Sequence, residues 1–209
     1  MKRNIHCPCS KIFSVELEEE IDLDEKNDYL EKINNGTFMS FTCPGCGKKH
    51  KPEYKTKILW KSKNLNLEVL PELDRGHFYL RKKENIFSKK KSYETIIGYP
   101  EMADRISVIN DNLEPVVIET LKYYLLVKAD ENYPDREINA WYHGKIEESI
   151  EFHLNGIKAD EVAVMKVPMQ VYNKTCEDYR KHPKNEIYAS LRNRSYLSVQ
   201  NLLRTEAVK

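Results

Sequence analysis

Four of the five cysteines stand in two close pairs, and that spacing constrains this chain more than any other feature. The first pair is Cys7-Pro8-Cys9. The second is Cys43-Pro44-Gly45-Cys46, followed by Gly47, and 33 residues separate Cys9 from Cys43. A tetrahedral zinc ion takes four soft or borderline donors, with sulfur at about 2.3 Å. Two residues between cysteines let one tight turn aim both sulfurs at a single point. Proline after the first cysteine fixes φ, and the glycines at 45 and 47 free the backbone to curl beneath a metal. Cys7, Cys9, Cys43 and Cys46 are therefore the expected ligands of one structural Zn2+. His6 could take the place of Cys7, since His6 to Cys9 also spans two residues, and His50 is a spare donor. A closed shell of four thiolates leaves no position for water, so such an ion holds a fold and does no chemistry.

The same Cys-x-x-Cys spacing serves thiol–disulfide exchange, which makes a dithiol oxidoreductase using Cys43 and Cys46 the alternative enzyme reading. That chemistry wants the motif to open a helix. Pro44, Gly45 and Gly47 followed by Lys48-Lys49 resist one. Cys176, alone on a predicted helix, reads as a small core residue. No Gly-x-Ser-x-Gly, phosphate-cradling loop or His-Glu-x-x-His is present, and seven glycines leave little material for a phosphate loop. The expectation is a non-enzymatic protein.

Charge is segregated along the chain. Residues 16–31 carry nine acids against Lys26, residues 48–63 carry seven lysines against Glu53, and residues 75–91 are again basic. With 34 Lys and Arg against 33 Asp and Glu, the net charge is +1, which argues against a uniformly basic nucleic-acid coat. The segments either cancel within one module or leave a basic face. Tyr54, Trp60, Phe78, Tyr79 and Phe87 interleave the lysines, so single-stranded nucleic acid is a second alternative. No run of about 18 apolar residues suggests a membrane span. Met1 to His6 is basic with no apolar stretch after it, so the expected location is the cytoplasm and not the secretory route.

Periodicity divides the chain. Phe13–Leu17 reads as a strand. Asp24 is the expected N-cap of a helix to Asn34, with Asn35-Gly36 as its stop. Thr37–Thr42 reads as a strand, and Lys55–Trp60 with Asn64–Leu70 as a hairpin ended by Pro71. Helices are expected from Pro100 and from Glu114-Pro115, then a hairpin of Ile138–His143 and Ser149–Leu154 turning near Gly144. A strand at Glu161–Val167 and helices at Pro168–Lys181 and Tyr196–Arg204 follow. In that hairpin, period two sends His153 to the polar face, as a solvated residue. The result is an α+β protein. A zinc-ribbon-like β module with a helical insert spans 1–80, a basic linker 81–92, and a mixed α+β domain 93–209.

His6-Cys7-Pro8-Cys9, the acidic stretch Glu16 to Asp24, Asn35 through Gly47 and Lys51-Pro52-Glu53-Tyr54 together resemble the CpXC family of bacteria and archaea. Asp104-Arg105-Ile106 and Ile118-Glu119-Thr120-Leu121-Lys122 also look like sequence that follows the domain in its members. The resemblance is good over 4–71 and extends to about 128. One departure is plain: the first motif lacks the residue between proline and the second cysteine. The resemblance implies zinc binding and offers no reaction. Function is then expected to lie in an interaction or scaffold role, with an unidentified protein as partner.

Overall fold

The structure, a computed structural model, describes residues 1–80 and 93–206. The linker expected at 81–92 lies outside the described residues. Two compact units divide the chain, Met1–Ala103 and Asp104–Lys209. Both helices and sheets are present, and the architecture is α+β. Among the described residues, no helix is long and apolar enough to cross a membrane.

In the first unit, β1 (Lys2–His6) and β2 (Ile12–Glu16) form an antiparallel ribbon. After β3 (Glu20–Asp22) come α1 (Asn27–Asn34) and the short antiparallel pair β4 (Phe41–Thr42) and β5 (Lys49–His50). The larger sheet follows: β6 (Thr56–Trp60) pairs antiparallel with β7 (Leu65–Leu70) and parallel with β3. Beyond α2 (Arg75–Leu80), β8 (Glu94–Ile97) adds parallel to β7, giving the order β8-β7-β6-β3. Alternation explains the hairpin. Thr56, Ile58 and Trp60 on one strand and Leu65, Leu67 and Val69 on the other all point inward and are buried. Asn64, left-handed at φ 51°, closes its turn.

Two local expectations fail here for identifiable reasons. Helix α1 begins at Asn27, with Lys26 before it, and not at Asp24. The Asp24 carboxylate instead accepts hydrogen bonds from the Ser62 backbone N–H (3.0 Å) and hydroxyl (2.5 Å), tying the acidic segment to the β6–β7 turn. The strand expected at Thr37–Thr42 shrinks to β4, because Thr37 to Ser40 turn, with Met39 at φ 48°. The opposed charge runs meet inside this unit. Glu20 pairs with Lys57 (3.6 Å) and Asp22 with Lys61 (2.6 Å), while Lys26 pairs with Glu18 inside the acidic segment.

Helix α3 (Tyr99–Asn110) carries the chain into the second unit. There α4 (Pro115–Asn132) precedes an antiparallel sheet of β9 (Asn139–Ile146), β10 (Ser149–Lys158) and β11 (Glu161–Pro168), with β10 central. Helix α5 (Met169–Lys181), α6 (Glu186–Ser190), the β12 (Arg192–Asn193) and β13 (Tyr196–Leu197) pair, and α7 (Gln200–Glu206) complete it. Val117, Ile118 and Leu121 of α4 share one core with Ile150, Phe152 and Leu154 of β10. The β9–β10 turn lies at Glu147-Glu148, three residues past Gly144, with Glu147 at φ 53°. The helix expected at Tyr196–Arg204 is split. Arg194, at φ 59°, makes a tight turn that pairs Tyr196 and Leu197 with Asn193 and Arg192, and α7 starts only at Gln200.

The core of this unit also holds charge. Lys122 lies 2.5 Å from Asp104 and 2.9 Å from Glu119, all three nearly inaccessible to solvent. Asp104 also accepts the Tyr142 N–H (2.6 Å), Glu119 accepts the Val199 N–H (2.8 Å), and Arg105 donates to the Leu197 carbonyl (3.0 Å). Burial alone would pull Lys122 down, yet the two carboxylates outweigh it and hold the ammonium above its ordinary range.

Candidate metal centre

Two β-turn loops carry the four cysteines. Cys7–Lys11 joins β1 to β2, and Cys43–Lys48 joins β4 to β5. Each loop is closed at its neck by a backbone bond, Cys7 N–H to the Lys11 carbonyl and Cys43 N–H to the Lys48 carbonyl, both 2.9 Å. Inside, Ser10 N–H donates to the Cys7 carbonyl and Gly47 N–H to the Cys43 carbonyl, again at 2.9 Å. Each inner donor is left-handed, Ser10 at φ 67° and Gly47 at φ 73°. The first loop is therefore the second with one residue removed. The residue missing between Pro8 and Cys9 is taken out of the turn itself, whose inner bond spans three residues in the first loop and four in the second.

All four Sγ atoms lie within 4.8 Å of one another. Two close approaches run between the loops, Cys7 to Cys46 at 3.5 Å and Cys9 to Cys43 at 3.7 Å. Four thiolates around one tetrahedral ion at about 2.3 Å stand about 3.8 Å apart, so the donor set fits such an ion. A disulfide needs about 2.05 Å between sulfurs, and all five cysteines are free thiols. Cys7 and Cys43 are buried, while Cys9 and Cys46 face solvent. The loops approach closely at Gly45, where a Cβ would stand 3.4 Å from Lys11 and 3.6 Å from the Cys9 sulfur. Its N–H donates to the Cys43 sulfur (3.4 Å).

His50 enters as a neighbour of the cluster. Its Nε2 lies 3.3 Å from the Cys7 sulfur, and its ring packs edge-on against Phe13. Such a contact orients a ligand and tunes its charge. His6 is exposed and stands outside the four-donor group. Cys176 is buried in the core of the second unit.

Cys7 and Cys43, the two buried thiols of the cluster, are shifted in opposite directions. The Cys9 N–H lowers the Cys7 thiol, but burial and the three neighbouring sulfurs outweigh it and push Cys7 up to about 12. Burial raises Cys43, yet the N–H groups of Gly45 and Cys46 and the thiols of Cys7 and Cys9 overcome it and bring it down to about 7. Cys43 is thus the easier of these two thiols to ionise, and a divalent cation would displace the protons that compete for the sulfurs.

The left-handed serine gives a local test. A non-glycine residue in this region costs roughly 1–2 kcal/mol. Ser10→Gly is expected to raise the stability of the ribbon by up to about 1 kcal/mol after the extra freedom of the unfolded glycine is counted, read as a later urea midpoint of the metal-loaded protein.

The CpXC family model, described as CpXC protein, matches residues 5–122. The match starts beside the first cysteine pair and ends at Lys122, so it takes in all four cysteines and the buried ion network. The chain is also similar to an uncharacterised protein of Treponema pallidum (strain Nichols), 28% identical over 214 residues, spanning 95% of this chain and 97% of that one. No solved structure matches.

Proposed function

The chain belongs to the CpXC family, and on that footing we propose that it is a non-enzymatic zinc-binding protein whose metal has a structural role. Cys7, Cys9, Cys43 and Cys46 would be the ligands. The observation that carries this reading is the convergence of four sulfurs, from loops 33 residues apart, to within 4.8 Å. Thiolate donors in a closed set of four suit zinc, which has no geometric preference of its own to oppose a tetrahedron. A full shell leaves no position for substrate. The function then lies in the surface that the ion shapes, as an interaction or scaffold module for a protein partner in the cytoplasm. The module of residues 1–80 would carry it.

The dithiol reading gains nothing from the geometry. Cys43 and Cys46 sit on a β turn and not at a helix start, and their sulfurs approach those of the other pair. Nucleic-acid binding would need free lysines and exposed rings. Lys55, Lys57 and Lys61 are paired with Glu68, Glu20 and Asp22, and Trp60 and Phe78 are buried.

Protons and metal compete for the same sulfurs, and the sign follows from the thiol values. Below about 12, Cys7 must lose a proton to bind, and below about 7 Cys43 must as well. As pH falls, apparent affinity should drop at least about tenfold per pH unit above neutrality and more steeply below it. Competition with a chromophoric chelator across pH 6 to 8 measures this slope. An affinity independent of pH would contradict thiolate ligation.

A further inference from the structure

The second unit carries another group of metal-binding side chains, unrelated to the cysteines. His143, Glu151 and His153 each offer one donor atom, and the three atoms lie within 4.8 Å of one another. They stand on the face of the β9–β11 sheet opposite the core, since Phe152 and Leu154 alternate with them and point inward. We propose that these three side chains form a second and open site for a divalent transition-metal ion, of the zinc class, with at least one position left for water or an outside ligand.

Three independent features point there. First, both imidazoles aim at one oxygen. His153 Nε2 is 2.9 Å from Glu151 Oε1, and His143 Nε2 is 3.8 Å from the same atom. Donors around one ion at about 2.0–2.2 Å stand roughly 3–3.5 Å apart, so small ring movements close the set. Second, the two rings lie against each other, with centroids 3.8 Å apart and planes 14° apart, which holds the two imidazoles together beside the acid and leaves a turn of one ring to bring both lone pairs onto an ion. Third, the strand is built irregularly at this point. Pairing passes from Gly144↔Glu151 to Tyr142↔Phe152, so His143 is the extra residue of a β-bulge. Bulges re-aim side chains beside functional sites. Here the bulge delivers His143 to a carboxylate on the next strand.

The exposure of the three residues matches an open site. The Glu151 side chain is 11% exposed although it lies on the outer face, because the imidazoles cover it, whereas His153 is 30% and His143 52% exposed. A buried acid flanked by two imidazoles, one open to water, gives two nitrogens and one oxygen with a solvent side. Imidazole with carboxylate suits zinc, nickel, cobalt or iron(II) better than magnesium or calcium. On binding, the proton that His153 Nε2 shares with Glu151 passes to the other ring nitrogen or to solvent. Lys166, opposite Glu151 on β11, is the nearest cation in register and is exposed.

The test uses the full chain with its tightest zinc equivalent retained and weakly held metal dialysed away. Zn2+ is then titrated by calorimetry, with the histidine ring signals followed by NMR. The expected result is one further saturable equivalent, with shifts confined to His143 and His153. His143→Ala, at an exposed position that the fold does not need, and Glu151→Gln, which keeps the shape of the acid, should each weaken that equivalent by at least about tenfold. Neither should release the tight zinc. No second equivalent, or one that survives both substitutions unchanged, overturns the proposal.

Discussion

Stripping the metal, or replacing any one of the four cysteines by serine, is expected to unfold the β1–β2 ribbon and the β4–β5 pair while the second unit stays folded. The strands explain the size of the effect. β4 and β5 have two residues each, and β1 and β2 form an isolated pair with few buried side chains, chiefly Ile5 and Val15. Two-stranded hairpins are marginal in water. Structural zinc contributes on the order of 10 kcal/mol in small domains, far more than such strands hold in reserve. Cys46 makes the sharper experiment. Its side chain is exposed, so as a plain thiol it should accept serine at almost no cost, whereas Cys43 is 1% exposed and would suffer either way. The metal account expects Cys46→Ser to be as damaging as Cys43→Ser. Amide exchange over residues 1–17 and 41–50 is the measurement, with the amides of α4 as internal control. A protected ribbon in Cys46→Ser would remove the metal from the account.

Lys122→Met should destabilise the second unit by about 3–5 kcal/mol. The substitution takes one ammonium from between Asp104 and Glu119 and leaves two buried carboxylates without the cation they share, and breaking a buried pair by removing one partner is costly in this way. Arg105 stands 3.6 Å from Glu119 and is committed to the Leu197 carbonyl, so it does not replace the lysine. By comparison, Lys61→Met removes an ion pair whose lysine is 70% exposed, and should cost less than about 1 kcal/mol. The chain has two tryptophans, Trp60 in the first unit and Trp141 in the second. Urea titration followed by Trp141 fluorescence in a Trp60→Phe background isolates the relevant transition. Equal midpoints for Lys122→Met and the parent would show that the network is not what fixes this core.

What could be read from the sequence was what depends on local pattern. The cysteine pairs, the β6–β7 hairpin and the long helix α4 follow from spacing and alternation alone. Asp24 shows where that reading ends. It has every local mark of an N-cap, yet Ser62, 38 residues away, takes its carboxylate. Glu119 and Lys122 lie among the apolar residues of α4, and nothing in the periodicity says that Asp104 comes to meet them. The outer face of β10 is a similar case. Alternation places Glu151 and His153 there correctly, but a bulge is invisible to alternation, and without it His143 has no reason to join them. His50 could be named as a spare donor, while its place beside Cys7 depended on the pairing of β4 with β5.

The most direct test of the four-cysteine centre is zinc-edge X-ray absorption on the protein holding only its tightest equivalent of metal. The account predicts one zinc per chain with a shell of four sulfurs at about 2.3 Å and no nitrogen or oxygen neighbour. A mixed shell rich in nitrogen and oxygen, or a chain that keeps no zinc and carries Cys43 joined to Cys46, would contradict it.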